Sequence, residues 1–399
     1  DLGADVIKIE PPGGDPARNV GPFYHDEPSS ETSLYFFNLN TNKRSVTLNL
    51  EDNAGRDVLR KLVPTADIVV ESFQPGYLDG LDLGFDALRG LRPDLILTSI
   101  TGFGQSGPHA HYLAPDIVGV AMAGIMWLAG DPADPPNLPP ANQGYLSASI
   151  QAAAGTLMAL YHRDVTGEGQ HVDVSMQEAL LIAQEDAMQT YDLHKVVKGR
   201  NAGRSALPMT IPGMGAYEAK DGWIWSYVGA PGGASWSELL AWMDEEGQAQ
   251  DLTKDPYRAV CDQMNLRFLT GLALDEELRE KHTPVLKRMD EVLTKFYRGK
   301  SKWELYEQGQ GRRLLIGIVS TPEDLAKNPQ LNARNWFQDI RHEALNDTLR
   351  YPGPPYRLSE TPWRIARRAP RLGEHNAEVL SELGLAREEL EALTASGAM

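Results

Sequence analysis

The chain of 399 residues contains a single cysteine, Cys261. One thiol excludes a disulfide framework and a cysteine-rich zinc site, and it fits a reducing cytoplasm. No run of eighteen apolar residues occurs, so no transmembrane helix is expected. No charged-then-apolar leader pattern is found at the start. Positive charge is scarce: 38 Lys and Arg stand against 55 Asp and Glu, a net charge of −17. A surface of that sign repels polyphosphate chains and argues against a nucleic-acid-binding protein. It leaves room for a local basic pocket that holds one small anion. Apolar residues, at 42%, suffice for a large core, and the length suits two or three domains.

What is present alternates. Val6 to Glu10 reads as a strand stopped by Pro11-Pro12-Gly13-Gly14. Ser45 to Leu50 reads as a second, Ala66 to Val70 as a third and Leu95 to Ile100 as a fourth. Short helices over residues 55–62 and 85–91 separate them, which predicts parallel βαβ units and an α/β sheet. A small-residue helix over 146–162 leads into a strand over His171 to Val174 and a long helix from Ser175. Gly and aromatic residues thicken after about residue 200, predicting a second, α+β domain inserted in the chain. A final helix is expected over residues 376–383. Asp1 to Asp5 reads as the end of a helix running into a strand, so an earlier element is expected to precede it.

Several motifs carry possible chemistry. Gly102-Phe103-Gly104-Gln105-Ser106-Gly107 follows a strand and matches the dinucleotide fingerprint, but Pro108-His109 is no helix start. The remaining reading is a turn where a ligand approaches the backbone. His109 and His111 lack a carboxylate at ligand spacing, so no metal site is expected. The pair Lys43-Arg44 is either a solvated strand start or a phosphate clamp. In Val172-Asp173-Val174-Ser175-Met176-Gln177-Glu178, a strand ends and a helix begins. Ser175 and Glu178 form the pattern of a capping box. The same geometry offers a carboxylate held ionised in a first helical turn, able to attack an acyl carbon. Both readings of Glu178 stand on the pattern alone. Trp223, Trp225 and Tyr227 alternate as on a half-buried strand, with an acyl-pocket wall as the second reading.

Six stretches in order resemble the class III CoA-transferases, the family of formyl-CoA:oxalate and carnitine CoA-transferases and of α-methylacyl-CoA racemase. They are DLGADVIKIE with Gly13-Gly14-Asp15, NTNKRSVTLNL from Asn40, VESFQPG from Val70, SITGFGQSGP from Ser99, TGEGQHVDVSMQEA from Thr166 and LGEHNAEVLSELG from Leu372. The resemblance spans nearly the whole chain. It implies a Rossmann-like large domain with a parallel sheet, built from residues 1–205 and a return segment, 316–399. A smaller α+β domain would occupy 206–315. It also implies an interlocked homodimer, or a heterodimer with a paralogue.

The chemistry implied is transfer of CoA from an acyl-CoA to a carboxylic acid through a covalent enzyme carboxyl-CoA thioester. The family nucleophile, an aspartate, falls at Glu178. Asp116 falls where the family places an acidic residue near the reacting acyl group. Ser72, Phe73, Gly102, Phe103 and Gly104 would line the CoA channel, with Lys43 and Arg44 on its phosphates. CoA enters as a substrate thioester, and no tightly bound cofactor or metal is implied. The family often carries an arginine after the strand-ending glutamate, where Pro11 stands here. The slot of the racemase base is Pro115, which cannot take a proton, so racemisation is disfavoured. A CoA-binding subunit without transfer activity is the alternative from another class.

Overall fold

The computed structural model describes residues 1–184, 186–200, 210–229 and 232–399. They fall into two compact units. The first comprises Asp1–Ala123, Pro140–Ala183 and Asn328–Met399; the second comprises Gly124–Pro139 and Gln184–Lys327.

In the first unit, β1 (Ile7–Glu10) pairs in parallel with β2 (Arg44–Thr47). Strands β3 (Ile68–Glu71), β4 (Ile96–Thr101) and β5 (His171–Ser175) form a parallel sheet in that order. Parallel pairing needs crossovers, and helices supply them. Asn53–Leu62 opens on an Asp52 cap, whose carboxylate accepts the Ala54 N–H. Phe85–Leu91 precedes β4. Gln143–Thr166 precedes β5 and buries a stripe of small residues: Gly144, Ala148, Ala152, Thr156 and Ala159. Small side chains let this helix lie close on the strands. A Cβ added at Gly155 would stand 3.1 Å from a Val172 methyl, and the Thr156 and Thr98 hydroxyls pair at 2.6 Å.

The second unit contains an antiparallel sheet, β6 (Met214–Ala219), β7 (Gly222–Tyr227) and β8 (Ile316–Val319), with β7 central. Helices Trp236–Glu245 and Glu276–Arg298 place Trp236, Trp242, Phe296 and Tyr297 in one apolar core with Ile224 and Ile316. Because β8 pairs with β7, the chain leaves this unit after Lys327 and not at 315. The expected boundary at 205 lies outside the described residues.

The return segment carries the hairpin β9 (Gln338–His342) and β10 (Asp347–Tyr351). It ends by covering β2. The His375 N–H donates to Ser45 O, and His375 Nδ1 accepts the Ser45 N–H. Asn376 accepts the Thr47 N–H, and Val379, Leu380 and Leu385 join Val46, Leu48 and Val58 in a core. His375 therefore fastens the return segment to β2. Two expectations fail. The helix after Ser175 stops at Leu181, and a helix at Arg387–Ser396 follows the one expected to be last.

Candidate active site

Strand β5 ends at Ser175, and its Oγ accepts the Glu178 N–H at 3.3 Å to start the helix Met176–Leu181. Only this half of the capping box forms. The Glu178 carboxylate is exposed and has no hydrogen-bond or ion-pair partner among the described residues. Ser175 is paired in register with Thr101 at the end of β4, so the helix start lies beside the Gly-rich turn.

That turn is tied to the helix directly. The Gln177 N–H donates to Gly102 O at 3.1 Å. Gly102 cannot carry a side chain, because a Cβ would lie 2.2 Å from that of Ala114. Gly104 adopts φ +85°, a left-handed conformation that favours glycine. Both Asp173 carboxylate oxygens accept the Gln105 N–H, at 3.1 and 3.0 Å. Phe103 meets His109 edge-on, and His109 stacks on Tyr112. No helix follows the turn, so the dinucleotide reading has no structural support.

Asp116 is buried at the start of the helix Asp116–Met122. Its Oδ1 accepts the N–H groups of Gly144 and Tyr145, at 2.8 and 3.2 Å. It thus holds the first turn of Gln143–Thr166. Ser72 and Phe73 follow β3 and are exposed. The Phe73 N–H donates to Glu71 at 2.7 Å, and its ring lies 4.6 Å from that of Tyr77. Glu178, Gly102 to Gly104 and Ser72-Phe73 all stand past the carboxyl ends of parallel strands, where open α/β sheets bind ligands.

Lys43 and Arg44 do not. Lys43 precedes β2 and Arg44 is its first residue, at the amino end of the strand. The Arg44 guanidinium is buried and engaged by three carboxylates, from Asp5 at 2.6 Å, Glu382 at 2.7 Å and Glu378 at 3.1 Å. Burial alone would lower its pKa, and these partners raise it instead. A cation so occupied has no free donor fork for a phosphate, which corrects the clamp reading of Arg44. Lys43 Nζ donates to Leu39 O and Asn40 Oδ1, both at 2.9 Å. Burial and the neighbouring Lys8 push its ammonium down to about 8.

Two residues of this region escaped the sequence reading. Asp173 pins the Gly-rich turn. The Thr101 hydroxyl, at the end of β4, is the one buried side-chain polar atom without a partner among the described residues. Neither has a sequence signature, since each depends on which backbone lies beside it. On β7, the aromatic alternation is real: Trp223, Trp225 and Tyr227 are exposed, while Ile224 and Ser226 are fully buried. Among the described residues, no three His, Cys, Asp or Glu side chains are grouped to hold a metal ion. No helix there is long and apolar enough to cross a membrane.

Comparison with known proteins shows the family. The profile of CoA-transferase family III matches residues 1–376. The chain is 38% identical to succinyl-CoA:(R)-benzylsuccinate CoA-transferase subunit BbsE of Thauera aromatica, over 100% of this chain and 92% of that protein. It is 31% identical to a formyl-CoA:oxalate CoA-transferase of Streptomyces avermitilis, over 99% and 93%. A CAIB/BAIF family protein from Brucella suis has a similar crystal structure, with TM-score 0.78 and 25% identity, over 96% of this chain and 93% of that one. With a family match that runs from residue 1 to 376 and so reaches both units, and with 38% identity over the whole chain to one member, the chain belongs to CoA-transferase family III.

Proposed function

We propose that this protein transfers CoA between an acyl-CoA and a carboxylic acid, with Glu178 as the nucleophile. The observation that carries the reading is the exposed Glu178 carboxylate, without a partner among the described residues, on the helix whose Gln177 N–H donates to Gly102 O. A carboxylate bound up in a salt bridge would have to be released before attacking; this one has no such bond among the described residues.

The steps balance without an external proton. A Glu178 oxygen attacks the thioester carbonyl carbon, the C–S bond breaks, and a mixed anhydride and CoA thiolate form. The thiolate attacks the Glu178 carbonyl and releases the donor acid as carboxylate, leaving an enzyme thioester. The acceptor carboxylate then attacks that thioester, and the thiolate returns to the acceptor's acyl carbon. Glu178 ends as a free carboxylate. Gly102 to Gly104 and Phe73 would border the CoA thioester, and Asp116 is a positioning residue that fixes the helix Gln143–Thr166. Glutamate reaches one bond further than aspartate, and misplacement of about 1 Å costs ~100-fold in rate. The supporting turn must therefore suit the longer side chain.

Several relatives are named for succinyl-CoA, which supports succinyl-CoA as donor. The outer side of Gln143–Thr166 exposes Ile150, Leu157, Met158, Tyr161 and Val165. So much apolar surface on one helix supports a partner chain. Two relatives are named as subunits, and this favours a second reading in which the partner is a paralogue that shares or carries the chemistry. The single buried cysteine fits a cytoplasmic site.

Trapping tests the reading. The protein is incubated with succinyl-CoA, treated with hydroxylamine or borohydride, and the peptide containing Glu178 is weighed. A modified Glu178, absent in Glu178→Gln, is expected. An unmodified Glu178 in protein that binds CoA would overturn the nucleophile and leave the subunit reading.

A further inference from the structure

One cavity of the first unit has no part in the bond-making steps above. It is an open cleft of about 380 Å³, lined by Lys43, by β9 and Glu343 after it, and by residues between 365 and 375. None of its lining residues belongs to the Gly102 turn, to Ser72-Phe73 or to the helix of Glu178. Its volume is that of a small-molecule site, larger than a single ion needs.

The charges around it are unevenly matched. The cavity has three carboxylates, and each has a partner. Glu374 receives two hydrogen bonds from Arg368, at 2.8 and 2.9 Å. Glu343 lies 3.6 Å from the same guanidinium. Asp339 accepts from Arg350 at 3.3 Å. Arg368 is thereby spent. Three cations have no hydrogen bond or salt bridge to a carboxylate among the described residues. Lys43 donates only to a carbonyl and an amide oxygen. Arg341 donates to the amide oxygen of Asn346. The Arg367 guanidinium has no hydrogen-bond or ion-pair partner among the described residues. His375 also faces the cavity, and its Nδ1 is taken by the Ser45 N–H.

Three cations outside any salt bridge line one cavity in a chain of net charge −17. Two are arginines, whose planar forks match phosphate oxygens pairwise, and the third is a point charge. Lys43 is costly to keep charged when buried. A bound dianion would stabilise all three together.

We infer that this cavity is a binding site for the phosphoryl group of a small molecule, held by Arg341, Arg367 and Lys43. The phosphoryl group has two possible sources: CoA itself, or a free phosphorylated metabolite that binds apart from the substrate. The CoA source rests on the transferase reading; the site itself does not.

The test is calorimetric titration of the full chain with inorganic phosphate, against chloride at matched ionic strength. Phosphate is expected to bind the wild type. Arg341→Gln and Arg367→Gln should each weaken it about tenfold, as loss of a charge-assisted hydrogen bond implies. Arg258→Gln, in the second unit and paired there with Asp262, should leave it unchanged. Because the Arg367 guanidinium has no partner among the described residues and its backbone bonds to Asn42 do not depend on the side chain, its variant keeps the fold. Phosphate binding no better than chloride, or equal in wild type and the Arg341→Gln/Arg367→Gln double variant, overturns the site. A second titration with desulfo-CoA distinguishes the sources. Displacement of phosphate assigns the site to CoA, and simultaneous binding assigns it to a free metabolite; either supports the site. Failure of Glu178 trapping leaves the phosphate titration unaffected.

Discussion

Replacing Arg18 with leucine leaves a buried carboxylate without its counter-ion. Arg18 and Glu10 are among the most deeply buried charges in the first unit, at 1% exposure each. They meet through two hydrogen bonds, 2.7 and 2.8 Å. Glu10 also accepts from the Ser45 hydroxyl at 2.8 Å and the Asp15 N–H at 3.1 Å. Arg18 donates to Pro370 O at 3.1 Å and lies 3.9 Å over the Phe36 ring. Burial alone would raise the Glu10 pKa, but the bonds from Arg18, Ser45 and the Asp15 N–H outweigh it and hold it low.

Removing one partner of such a pair costs about 3–5 kcal/mol. At ~1.36 kcal/mol per decade, hydrogen exchange of the β1 and β2 amides should accelerate roughly 10²- to 10³-fold or more. The pH dependence follows from the sign of the shift. Glu10 is depressed in the folded protein, so its contribution is present above the ordinary carboxylate range and fades as pH falls. In Arg18→Leu, uncompensated burial raises the Glu10 pKa, so acid relieves the variant and narrows its deficit. The double variant Glu10→Gln/Arg18→Leu should regain part of the loss, because no buried charge remains. Exchange within about threefold of wild type, or strictly additive single effects, would refute the reasoning.

Three further outcomes follow from the geometry. Asp116→Ala removes the acceptor for the Gly144 and Tyr145 N–H groups and should cost about 0.5–2 kcal/mol by the scale of helix caps, measured by urea denaturation. Thr101→Val removes a buried, unsatisfied hydroxyl and should stabilise by about 1–3 kcal/mol, read as a raised Tm; a lowered Tm would show that the hydroxyl has a partner. In the second unit, hydrogen bonds from Lys302 and Thr321 pull Asp324 down to about 2. Its contribution is present above pH ~4 and lost as pH falls through about 2, so Asp324→Asn should flatten the acid limb of thermal stability.

The strands were legible because apolar runs bounded by Gly and Pro have few other structural uses. The helix Gln143–Thr166 was legible for the same reason, with its small residues recurring along one face. The break after Leu181 was not legible. Residues 176–194 are good helix formers, but the chain passes from the first unit to the second between Ala183 and Gln184, and propensity carries no record of that crossing. The position of Glu178 could be read from a strand-to-helix pattern, whereas the fate of its carboxylate could not. The pattern fits a reciprocal cap equally well, and only the structure shows the return bond missing. Arg44 failed as a phosphate clamp for a similar reason. Its three carboxylates come from positions 5, 378 and 382, and no local window contains them.

The covering of β2 by residues 373–385 has a consequence in time. Val46, Leu48 and Val58 emerge from the ribosome early, but their partners Val379, Leu380 and Leu385 are made more than 300 residues later. At ~5–20 residues per second, that interval is roughly 15–60 s. The core of the second unit, drawn from residues 211–316, is complete well before it ends. The inserted unit can therefore fold first, although it comes second in the chain. Throughout that interval β2 presents an unfinished apolar surface, making the nascent chain a target for chaperones.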